Sequence, residues 1–397
     1  MDYLFGFFRP SIWVYFVVAL VMMQITIMGV TLYLHRDQAH RSVDLHPALR
    51  HFFRLWIWMT SSMLTAEWVA VHRKHHAKCE TEDDPHSPQV RGLKKVLLEG
   101  AELYKAEKDD PETIKKYSRG CPDDWLERNV YTRFPNAGIL AMFIINVLLF
   151  GVVGISIWAF QMMSMPLFAA GIINGLGHHT GYRNFECDDA ATNLTPWAFF
   201  LGGEELHNNH HAFPSSAKFS VRKWEFDIGW MYLTIFKFFG LAKVRRVAPT
   251  PVLEDKEIVD IETVRAIVQN RMHVLREYAK SVTLPVLAAE KKRVGAERMK
   301  DMWSKARRVL VRRPELLDST HRAKLETLLA NNARLKTVHE YRERLRELWS
   351  GATVSNDKLL QQLKEWCQQA EDTGIQALQE FSDRLKRYTL APAAATA

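Results

Sequence analysis

The sequence predicts an all-α protein with an integral membrane helical domain, a histidine-rich cytoplasmic cap and a C-terminal soluble helical appendage. Long apolar runs and thirteen of the sixteen histidines fall within residues 1–245. Residues 246–397 are highly charged and hold no apolar run long enough to cross a bilayer. We therefore expect a membrane domain over residues 1–245 and a soluble, charged helical domain over residues 246–397.

The N-terminal half opens with two apolar runs of different character. The first, Ser11 to Leu34, can cross a hydrocarbon layer of about 30 Å at about 1.5 Å per residue. It lacks a basic leader and a cleavage site, so we interpret it as a retained span and not as a signal peptide. The second run, Leu49 to Val71, is interrupted by charged residues such as Arg54 and Glu67. That composition favours an interfacial or re-entrant helix.

Two further apolar runs follow a long polar loop. The run from Ala137 to Tyr182 has room for two spans, and Gln161–Pro166 is the predicted turn between them. The run from Ile228 to Ala242 contains Lys237 and is predicted to lie at the membrane surface. After the linker signal around Pro249, helical periodicity recurs in the tail, roughly over residues 260–280, 286–312, 320–348, 357–370 and 374–388.

Charge and cysteine content exclude several classes of protein. The net charge is +8, and Lys and Arg cluster beside the apolar segments, as contact with anionic lipid and the positive-inside rule would produce. We therefore expect no nucleic-acid partner. The four cysteines are far apart and form no C-x-x-C pair, so neither a disulfide framework nor a zinc ribbon is predicted.

Four polar clusters beside the apolar runs hold most of the histidines. Two of them share the spacing H-x-x-H-H, which places three imidazoles on one face of a helix. Imidazole is costly to bury near lipid without a partner, so this recurrence predicts metal ligands. The clusters contain His35 and His40; His72, His75 and His76; Asn174 and His178; and His207, His210 and His211.

Spacing within the other two clusters is less regular. Asn174 and His178 are four residues apart and share a helical face. His35 and His40 are five apart, which does not place them on one α-helical face, so we expect the backbone to bend at this helix end. The remaining histidines of the N-terminal half are predicted not to bind metal: His46, His51, His86 and His179.

Nine imidazoles are too many for one ion, and two ions with four or five nitrogen ligands each fit the number. Imidazole binds Zn, Cu, Fe and Ni, and spacing alone does not choose between iron and copper. A structural zinc ion would have four ligands and usually cysteine among them. Ligands gathered from distant parts of the chain at a membrane face indicate a pair of redox-active ions instead.

A shared metal centre also restricts the topology, because all four clusters must lie on the same side of the membrane. Residues 41–71 are too few for two spans, so the run Leu49 to Val71 should not cross. Two spans then separate the second cluster from the third. The basic loop over residues 72–133 is placed in the cytoplasm, and Met1–Pro10 is placed on the opposite side.

The histidine pattern resembles the membrane fatty acid desaturases, above all the bacterial Δ9 acyl-CoA desaturases. The matching motifs are H-x-x-x-x-H at His35, H-x-x-H-H at His72 and H-x-x-H-H at His207. Asn174-x-x-x-His178 and Asp84-Pro85-His86 match as well. The resemblance covers roughly residues 11–242. One departure is that the acyl-CoA enzymes of animals have two spans before the first motif, whereas this chain has room for one, so no CoA-binding or chain-length residue is transferred.

The resemblance implies two iron ions held by nine histidines, with a water held by Asn174. It implies O2 as co-substrate, a fatty acyl substrate, membrane lipid, and a small electron-transfer protein with its NAD(P)H-dependent reductase. The implied reaction places a cis double bond at C9–C10 of a saturated acyl-CoA. The implied location is the bacterial inner membrane, with the active site and the C-terminal domain in the cytoplasm.

Three alternatives stay open at this point. The substrate could be an acyl-lipid, since acyl-lipid enzymes have very similar motifs, or the enzyme could hydroxylate on the same scaffold. The chain could also be a metal-dependent membrane scaffold without enzyme activity. The small residues Gly171, Gly175 and Gly177 fit two roles equally: passage of an acyl chain, or tight packing of helices.

The C-terminal tail resembles the C-terminal helical segment of certain DDE-type transposases over residues of about 305–388. The motifs that resemble it are Arg313-Pro314-Glu315-Leu316-Leu317, Leu345-Arg346-Glu347-Leu348-Trp349 and Leu363-Lys364-Glu365-Trp366. No catalytic acidic core accompanies them, so we interpret the tail as a helical module that docks on the catalytic cap or on an electron donor.

Overall fold

The computed structural model describes residues 6–294, 303–349 and 355–391, and the chain divides into two compact units. The first unit extends to Arg183 and resumes at Asp189–Ala248, whereas the second contains Asn184–Asp188 and the described residues from Pro249 onwards. Each unit has its own buried apolar core, and both are built from helices. The predicted all-α class is confirmed.

The first unit begins with a long helix that changes its hydrogen-bonding pattern. Helix α1, Ile12–Met28, continues without a break into a π-type segment, Gly29–Ala39. Together they form an apolar helix of 28 residues, long enough to cross a membrane. Its N-terminal half exposes large apolar side chains such as Trp13 and Phe16, whereas its C-terminal half is buried. A helix with such an exposed apolar surface is suited to a lipid environment.

The second apolar run forms two helices. Helix α2, Pro47–Ser61, and helix α3, Thr65–Lys78, are separated by Ser62, whose φ of 58° lies in the left-handed region. Helix α2 buries Phe53 and Ile57 on one side. Neither helix is long enough to appear among the described helices that could cross a membrane. That this run does not cross stays a prediction.

The predicted turn at Gln161–Pro166 is wrong. Helix α8, Ala137–Phe150, ends at Gly151, and α9, Val152–Met165, continues into a second π-type segment, Pro166–Leu176. Gly151 has φ 61° and ψ −141°, a conformation open mainly to glycine.

The polar residues and the proline within Gln161–Pro166 are accommodated in a helix instead of a turn. Gln161 and Ser164 are buried inside the helix, and the Ser164 hydroxyl donates to the Gln161 carbonyl at 2.8 Å. Pro166 begins the π-type segment, where a wider turn accommodates the missing amide donor. Val152–Leu176 therefore forms one apolar helix of 25 residues, long enough to cross a membrane. The total number of crossings stays a prediction.

Short elements complete the first unit and hold the chain around the long helices. Strand β1, Val43–Leu45, pairs antiparallel with β4, Ala242–Val244, so the end of the unit lies beside the first histidine motif. The remaining elements are helices α4 to α7 (Pro88–Arg91, Leu93–Leu98, Gly100–Lys108, Pro111–Tyr117), a π-type turn Glu127–Tyr131, strands β2 and β3 (Trp197–Ala198, Phe226–Asp227), and helices α10 and α11 (His207–Ala212, Ile228–Phe238).

The second unit packs its helices around Tyr278, Trp366 and Phe381, which contact one another edge to face. Strand β5, Val252–Leu253, pairs antiparallel with β6, Tyr388–Thr389. Its helices are α12 Ile261–Gln269, α13 Arg271–Tyr278 continuing as a π-type turn Ala279–Thr283, α14 Leu284–Val294, α15 Ala306–Val311, α16 Ser319–Ala330, α17 Ala333–Glu347, α18 Asn356–Asp372 and α19 Gln376–Lys386, with a 3₁₀ turn at Pro314–Leu316. The predicted tail helices are present, and part of the segment 286–312 lies outside the described residues.

Candidate metal centre

The nine predicted histidine ligands lie together in two groups inside the first unit. The first group has five members, and their ligand nitrogens all lie within 4.8 Å of one another. The second group has four buried members that meet the same distance. The first group, here the five-histidine group, is His35, His40, His72, His76 and His210; the second, the four-histidine group, is His75, His178, His207 and His211.

The π-type segment explains how His35 and His40 reach one group. The His40 amide donates to the His35 carbonyl at 3.0 Å, which is an i to i+5 hydrogen bond. A π-type turn contains more residues than an α-helical turn, so residues five apart come close to the same face. The two ring centroids are 4.9 Å apart. The expected bend at the helix end is thus a change of helix type.

The two H-x-x-H-H motifs each contribute to both groups. On α3, His72 and His76 join the five-histidine group, whereas His75 joins the four-histidine group. Helix α10 contributes in the opposite proportion: His210 joins the five-histidine group, while the other two histidines of its motif join the four-histidine group. Each helix lies between the two groups and supplies histidines to both. The two motifs together therefore form a pair of sites, and neither motif forms a site by itself.

Distances between ring nitrogens fit bound ions. The Nε2 atoms of His40 and His72 are 2.8 Å apart, and those of His178 and His207 are 2.9 Å apart. Two nitrogens bound at right angles to one ion at about 2.1 Å would be separated by about 3.0 Å. The buried Nε2 of His211 has no hydrogen-bond partner. Convergent nitrogens with this spacing fit a metal ion in each group, and in the four-histidine group the unpartnered Nε2 of His211 adds to that fit.

Four carboxylates form hydrogen bonds with the Nδ1 atoms of imidazoles in both groups. In the five-histidine group, His35 Nδ1 donates to Glu204 at 2.7 Å. In the four-histidine group, each bond also runs from Nδ1: His75 to Asp84 at 3.0 Å, His178 to Glu80 at 3.0 Å and His211 to Asp189 at 2.9 Å. Such bonds fix the tautomer and orient Nε2 towards a metal.

Sequence reasoning named Asp84 only as part of a matching motif and missed Glu80, Asp189 and Glu204. The available signal was an acidic residue a few positions from a histidine motif, as Glu204 precedes His207 by three. That signal is weak, because acidic residues are common in loops.

The electrostatic surroundings favour neutral imidazoles at three members of the five-histidine group and ionised carboxylates at two positions beside the other group. Burial lowers the pKa of His72, His76 and His210, and the neighbouring histidines lower it further. Burial alone would raise the pKa of Asp84 and Asp189, but His75 and His211 beside them hold both well below the usual range. Neutral imidazole is the form that binds a metal.

The other histidines and Asn174 take distinct positions. His46 caps α2 by accepting from the Ala48 amide, and His179 is exposed. His86 is buried with its ring centroid 4.3 Å from that of His75, yet it belongs to neither group. Asn174 lines a cavity together with His72, His75 and His207, beside both groups.

This cavity, of about 220 Å³, is lined by histidines of both groups and by residues of α3, α6 and the two π-type segments. Its walls near the histidines include Trp68, whose indole stacks on His72 with ring centroids 4.8 Å apart. Apart from the histidines and a few other polar residues such as Ser61 and Tyr104, the lining is apolar: Val30, Met63, Val71, Ala101, Met165, Pro166, Ala169, Ala170 and Ile173. An apolar cavity that ends at two groups of imidazoles suits a hydrocarbon chain held beside a metal centre.

Helix packing accounts for the three glycines that the sequence left ambiguous. A Cβ atom on Gly171 would lie 3.1 Å from the Leu97 carbonyl, and one on Gly175 would contact Leu97 at 3.4 Å. At Gly177 a Cβ atom would lie 2.2 Å from the Ile173 carbonyl. None of the three is among the residues that line the cavity. The absent side chain of Gly171 allows the π-type segment and α5 to approach closely, whereas at Gly177 the obstacle is the carbonyl of Ile173 in the preceding turn.

We expect Glu204→Gln to lower metal affinity or turnover by about 10- to 100-fold. Glu204 accepts hydrogen bonds from His35 and from the Thr31 hydroxyl, both at 2.7 Å. An amide in its place carries no charge and can present its NH2 group to His35, so the imidazole loses its orienting partner. Metal titration followed by spectroscopy measures the effect, and exposed Glu102→Gln is the matched control. Equal affinities in the two variants would contradict this role.

Comparison with known proteins agrees with these features. The sequence profile of the fatty acid desaturase family matches residues 11–227, more than half of the chain. The chain belongs to the fatty acid desaturase family. A second profile, described as Transposase, matches residues 261–393, which confirms the resemblance predicted for the tail. The apolar helices therefore belong to a membrane-associated oxidoreductase that desaturates fatty acids, a family that uses O2.

Individual relatives of this desaturase come from plants and cyanobacteria. Delta-9 acyl-lipid desaturase 1 of Arabidopsis thaliana is 30% identical over 233 residues, which are 57% of this chain and 73% of that protein. The sn-1 stearoyl-lipid 9-desaturase of Synechocystis is 29% identical over 232 residues, 58% of this chain and 70% of that protein. Acyl-CoA 5-desaturase AL21 of Anemone leveillei is 30% identical over 229 residues, 54% of this chain and 66% of that protein.

Proposed function

We propose that this desaturase is a di-iron enzyme that uses O2 to place a cis double bond at C9–C10 of a saturated acyl chain, with acyl-CoA as substrate. The observation that carries the proposal is the junction of an apolar cavity with two groups of convergent imidazoles. The substrate is a fatty acyl chain, and the reaction must reach C–H bonds that no neighbouring group activates. Iron bound by these histidines would supply the O2-derived oxidant that such bonds require.

The ligand set divides as the two groups do. We assign one iron to the five-histidine group and the other to the four-histidine group. Asn174, at the cavity wall, would hold a water beside the four-histidine iron. The carboxylates Glu80, Asp84, Asp189 and Glu204 keep Nδ1 of their imidazoles protonated, so that Nε2 is free for the metal.

The chain's own residues set which carbons react. Met165, Ala169 and Ile173 form one wall of the cavity, and Val30 and Val71 contribute to others. Apolar walls exclude water, and a cavity that ends at the histidines holds one segment of the acyl chain beside them. The selection of C9–C10 would follow from the path of the chain between the cavity mouth and the metal centre.

Relatives support both candidates for the group that carries the acyl chain. Two of those described above are named for acyl-lipid or stearoyl-lipid and one for acyl-CoA. Acyl-lipid is therefore the second candidate substrate. The two candidates are separated by supplying purified enzyme in lipid nanodiscs with either labelled stearoyl-CoA or labelled stearoyl phospholipid. Only the true substrate gives labelled monoene without a lag.

The proposed reaction is tested by expressing the chain in cells that lack their own desaturase and locating new double bonds by mass spectrometry. We expect a cis-Δ9 monoene and none in cells expressing His75→Ala. A hydroxylated product would show that the enzyme oxidises the same carbon differently. Unchanged lipids, or equal products from wild type and variant, would refute a di-iron desaturase.

Location and topology form a further part of the proposal. We place the protein in a bacterial inner membrane, with the histidine groups and the C-terminal domain, residues 246–397, in the cytoplasm. Both groups then face the compartment that contains acyl-CoA and a reduced electron donor with its NAD(P)H-dependent reductase. Labelling of single exposed cysteines by an impermeant thiol reagent in intact and opened cells tests the orientation.

We expect Ala169→Phe to shift the products towards shorter acyl chains and to lower turnover of stearoyl substrate by about tenfold. Ala169 lines the cavity, and a phenyl ring would fill much of its volume of about 220 Å³. Gas chromatography of the cellular fatty acids measures the shift. Leu167→Phe, on the same helix but 50% exposed and outside the cavity lining, is the matched control. The same chain-length profile in both variants would argue against this cavity as the acyl site.

A further inference from the structure

A polar hollow lies on the first histidine motif, apart from the acyl cavity. It has a volume of about 370 Å³, and its lining includes Asp37 and Gln38, which lie between His35 and His40 in the chain. Three arginines line it: Arg41, Arg50 and Arg245. The next residue before Arg41 is His40, a half-buried member of the five-histidine group. This hollow is therefore a surface feature directly beside one metal position.

Buried and exposed ion pairs fix the shape of the hollow. Arg50 donates two hydrogen bonds to Asp37, at 2.7 and 2.6 Å, and Arg245 pairs with Asp44. The Arg41 guanidinium donates to the Arg119 carbonyl at 2.9 Å. These contacts involve charged groups with good geometry, so the hollow is pre-organised.

Arg73, from the second histidine motif, holds the same loop in place. Its guanidinium donates to the carbonyls of Gln38 and Ala39 at 2.8 and 3.0 Å and to those of Tyr117 and Arg119 at 2.9 Å each. The loop that carries Arg119 is thereby anchored to both histidine motifs that supply most of the five-histidine group.

The surface of the hollow is strongly cationic. Strand pairing of β1 with β4 places Lys243, Arg245 and Arg246 beside residues 42–44. The hollow itself is lined by three of the cations (Arg41, Arg50 and Arg245) and by two carboxylates, Asp37 and Asp44. Arg119, Lys243 and Arg246 flank the lining, and with them the surrounding surface has six cations to two carboxylates, a net charge of +4. Among the described residues, Arg119 and Arg246 are exposed and form no ion pair. Unpaired exposed cations of this kind attract an acidic partner and increase its rate of association.

The electron balance of the proposed reaction requires a partner at the metal centre. Conversion of –CH2–CH2– to –CH=CH– releases two electrons and two protons. Reduction of O2 to two molecules of water takes up four of each. Two electrons and two protons must therefore arrive from outside for every double bond, and the electrons must enter through the protein surface near a metal.

We propose that this arginine-lined hollow is the docking site of a small acidic electron-transfer protein, which delivers electrons through His40 to the five-histidine iron. The inference rests on the proposed di-iron function. It assigns contact with the electron-transfer protein to Arg41, Arg119, Arg245 and Arg246 of this chain. Anionic lipid headgroups share the required charge and are the competing occupant.

The test uses full-length enzyme in nanodiscs and two reductants of opposite charge. A reduced plant-type [2Fe–2S] ferredoxin is the acidic protein probe, and reduced methyl viologen is a small cation that needs no docking surface. The variant is Arg119→Glu with Arg246→Glu, and Lys105→Glu, exposed on α6 away from the hollow lining, is the control. Stopped-flow spectroscopy measures reduction of the metal centre.

We expect the double variant to lower the second-order rate with ferredoxin by at least about tenfold at low salt and to flatten its salt dependence. Its rate with methyl viologen, and both rates of Lys105→Glu, should match wild type. Unchanged ferredoxin rates in the double variant overturn the docking site. So does a loss that appears only in nanodiscs containing phosphatidylglycerol, which would assign the hollow to lipid headgroups. Absence of desaturation with either reductant would instead refute the proposed function.

Discussion

Replacing one histidine in either group by alanine should abolish desaturation and remove about one metal ion per chain. His72→Ala tests the five-histidine group, and His207→Ala tests the four-histidine group. Each variant deletes an imidazole whose Nε2 atom lies within 2.9 Å of the Nε2 atom of another histidine. A binding position that depends on convergent imidazoles loses affinity steeply when one is missing. We expect product below about 1% of the wild-type amount, since ligand loss exceeds the 10- to 100-fold effect of losing an orienting partner.

Metal content separates this interpretation from a general loss of folding. Elemental analysis of purified protein should show that each variant keeps the ion of the other group. His179→Ala is the matched control, because His179 adjoins His178 in the chain but is exposed and belongs to neither group. Full metal content in both ligand variants, or equal losses in all three proteins, would contradict the two-group assignment.

The histidine positions could be predicted because helical spacing is a local property. The H-x-x-H-H spacing fixes which side chains of α3 and α10 share a face, whatever the rest of the chain does. His35 and His40 show where that reasoning stops. Their spacing suits a π-type turn, and the choice between α and π hydrogen bonding depends on packing around the whole segment Gly29–Ala39 and not on the two residues.

The hairpin between α8 and α9 shows the opposite case. Pro166 and Ser164 are residues typical of turns, yet both lie within one continuous helix. The turn is made instead at Gly151, whose φ of 61° is positive. The sequence shows which residues tolerate a turn, but the packing of α8 against α9 decides where it falls. A Cβ atom on Gly154 would lie 2.0 Å from the Asn146 carbonyl, so close approach of the two helices is part of that decision.

The carboxylates behind the imidazoles could not be predicted for a related reason. Asp189 lies 22 residues before His211, and Glu204 lies 169 residues after His35. Such pairs form only when the long helices bring distant loops together. Their identity is therefore a property of the folded chain, whereas the histidine motifs are properties of single helices.

Asp227→Asn should destabilise the first unit by about 3–5 kcal/mol, because it leaves a buried guanidinium without its counter-charge. Arg36 and Asp227 are both fully buried, and Arg36 Nη2 donates to Asp227 at 3.1 Å. Asp227 also accepts from the amides of Phe219 and Trp230, at 2.7 and 2.9 Å, and Arg36 lies over the Phe219 ring at 3.9 Å. These contacts connect the residue after His35 to the loop before α11. Thermal unfolding in nanodiscs, followed by tryptophan fluorescence, measures the change.

Two further variants show whether the unpaired charge is the cause. Asp123→Asn removes a carboxylate from an exposed pair with Arg128 at 3.7 Å and should leave the midpoint unchanged, because solvent screens such pairs. Arg36→Met combined with Asp227→Asn removes both buried charges and should be more stable than Asp227→Asn alone. Additive losses in the double variant would mean that Asp227 acts through its backbone contacts alone. Recovery would show that the unpaired guanidinium of Arg36 causes the loss of stability. That guanidinium lies beside the first histidine motif, since Arg36 adjoins His35 and donates to the Gly202 carbonyl.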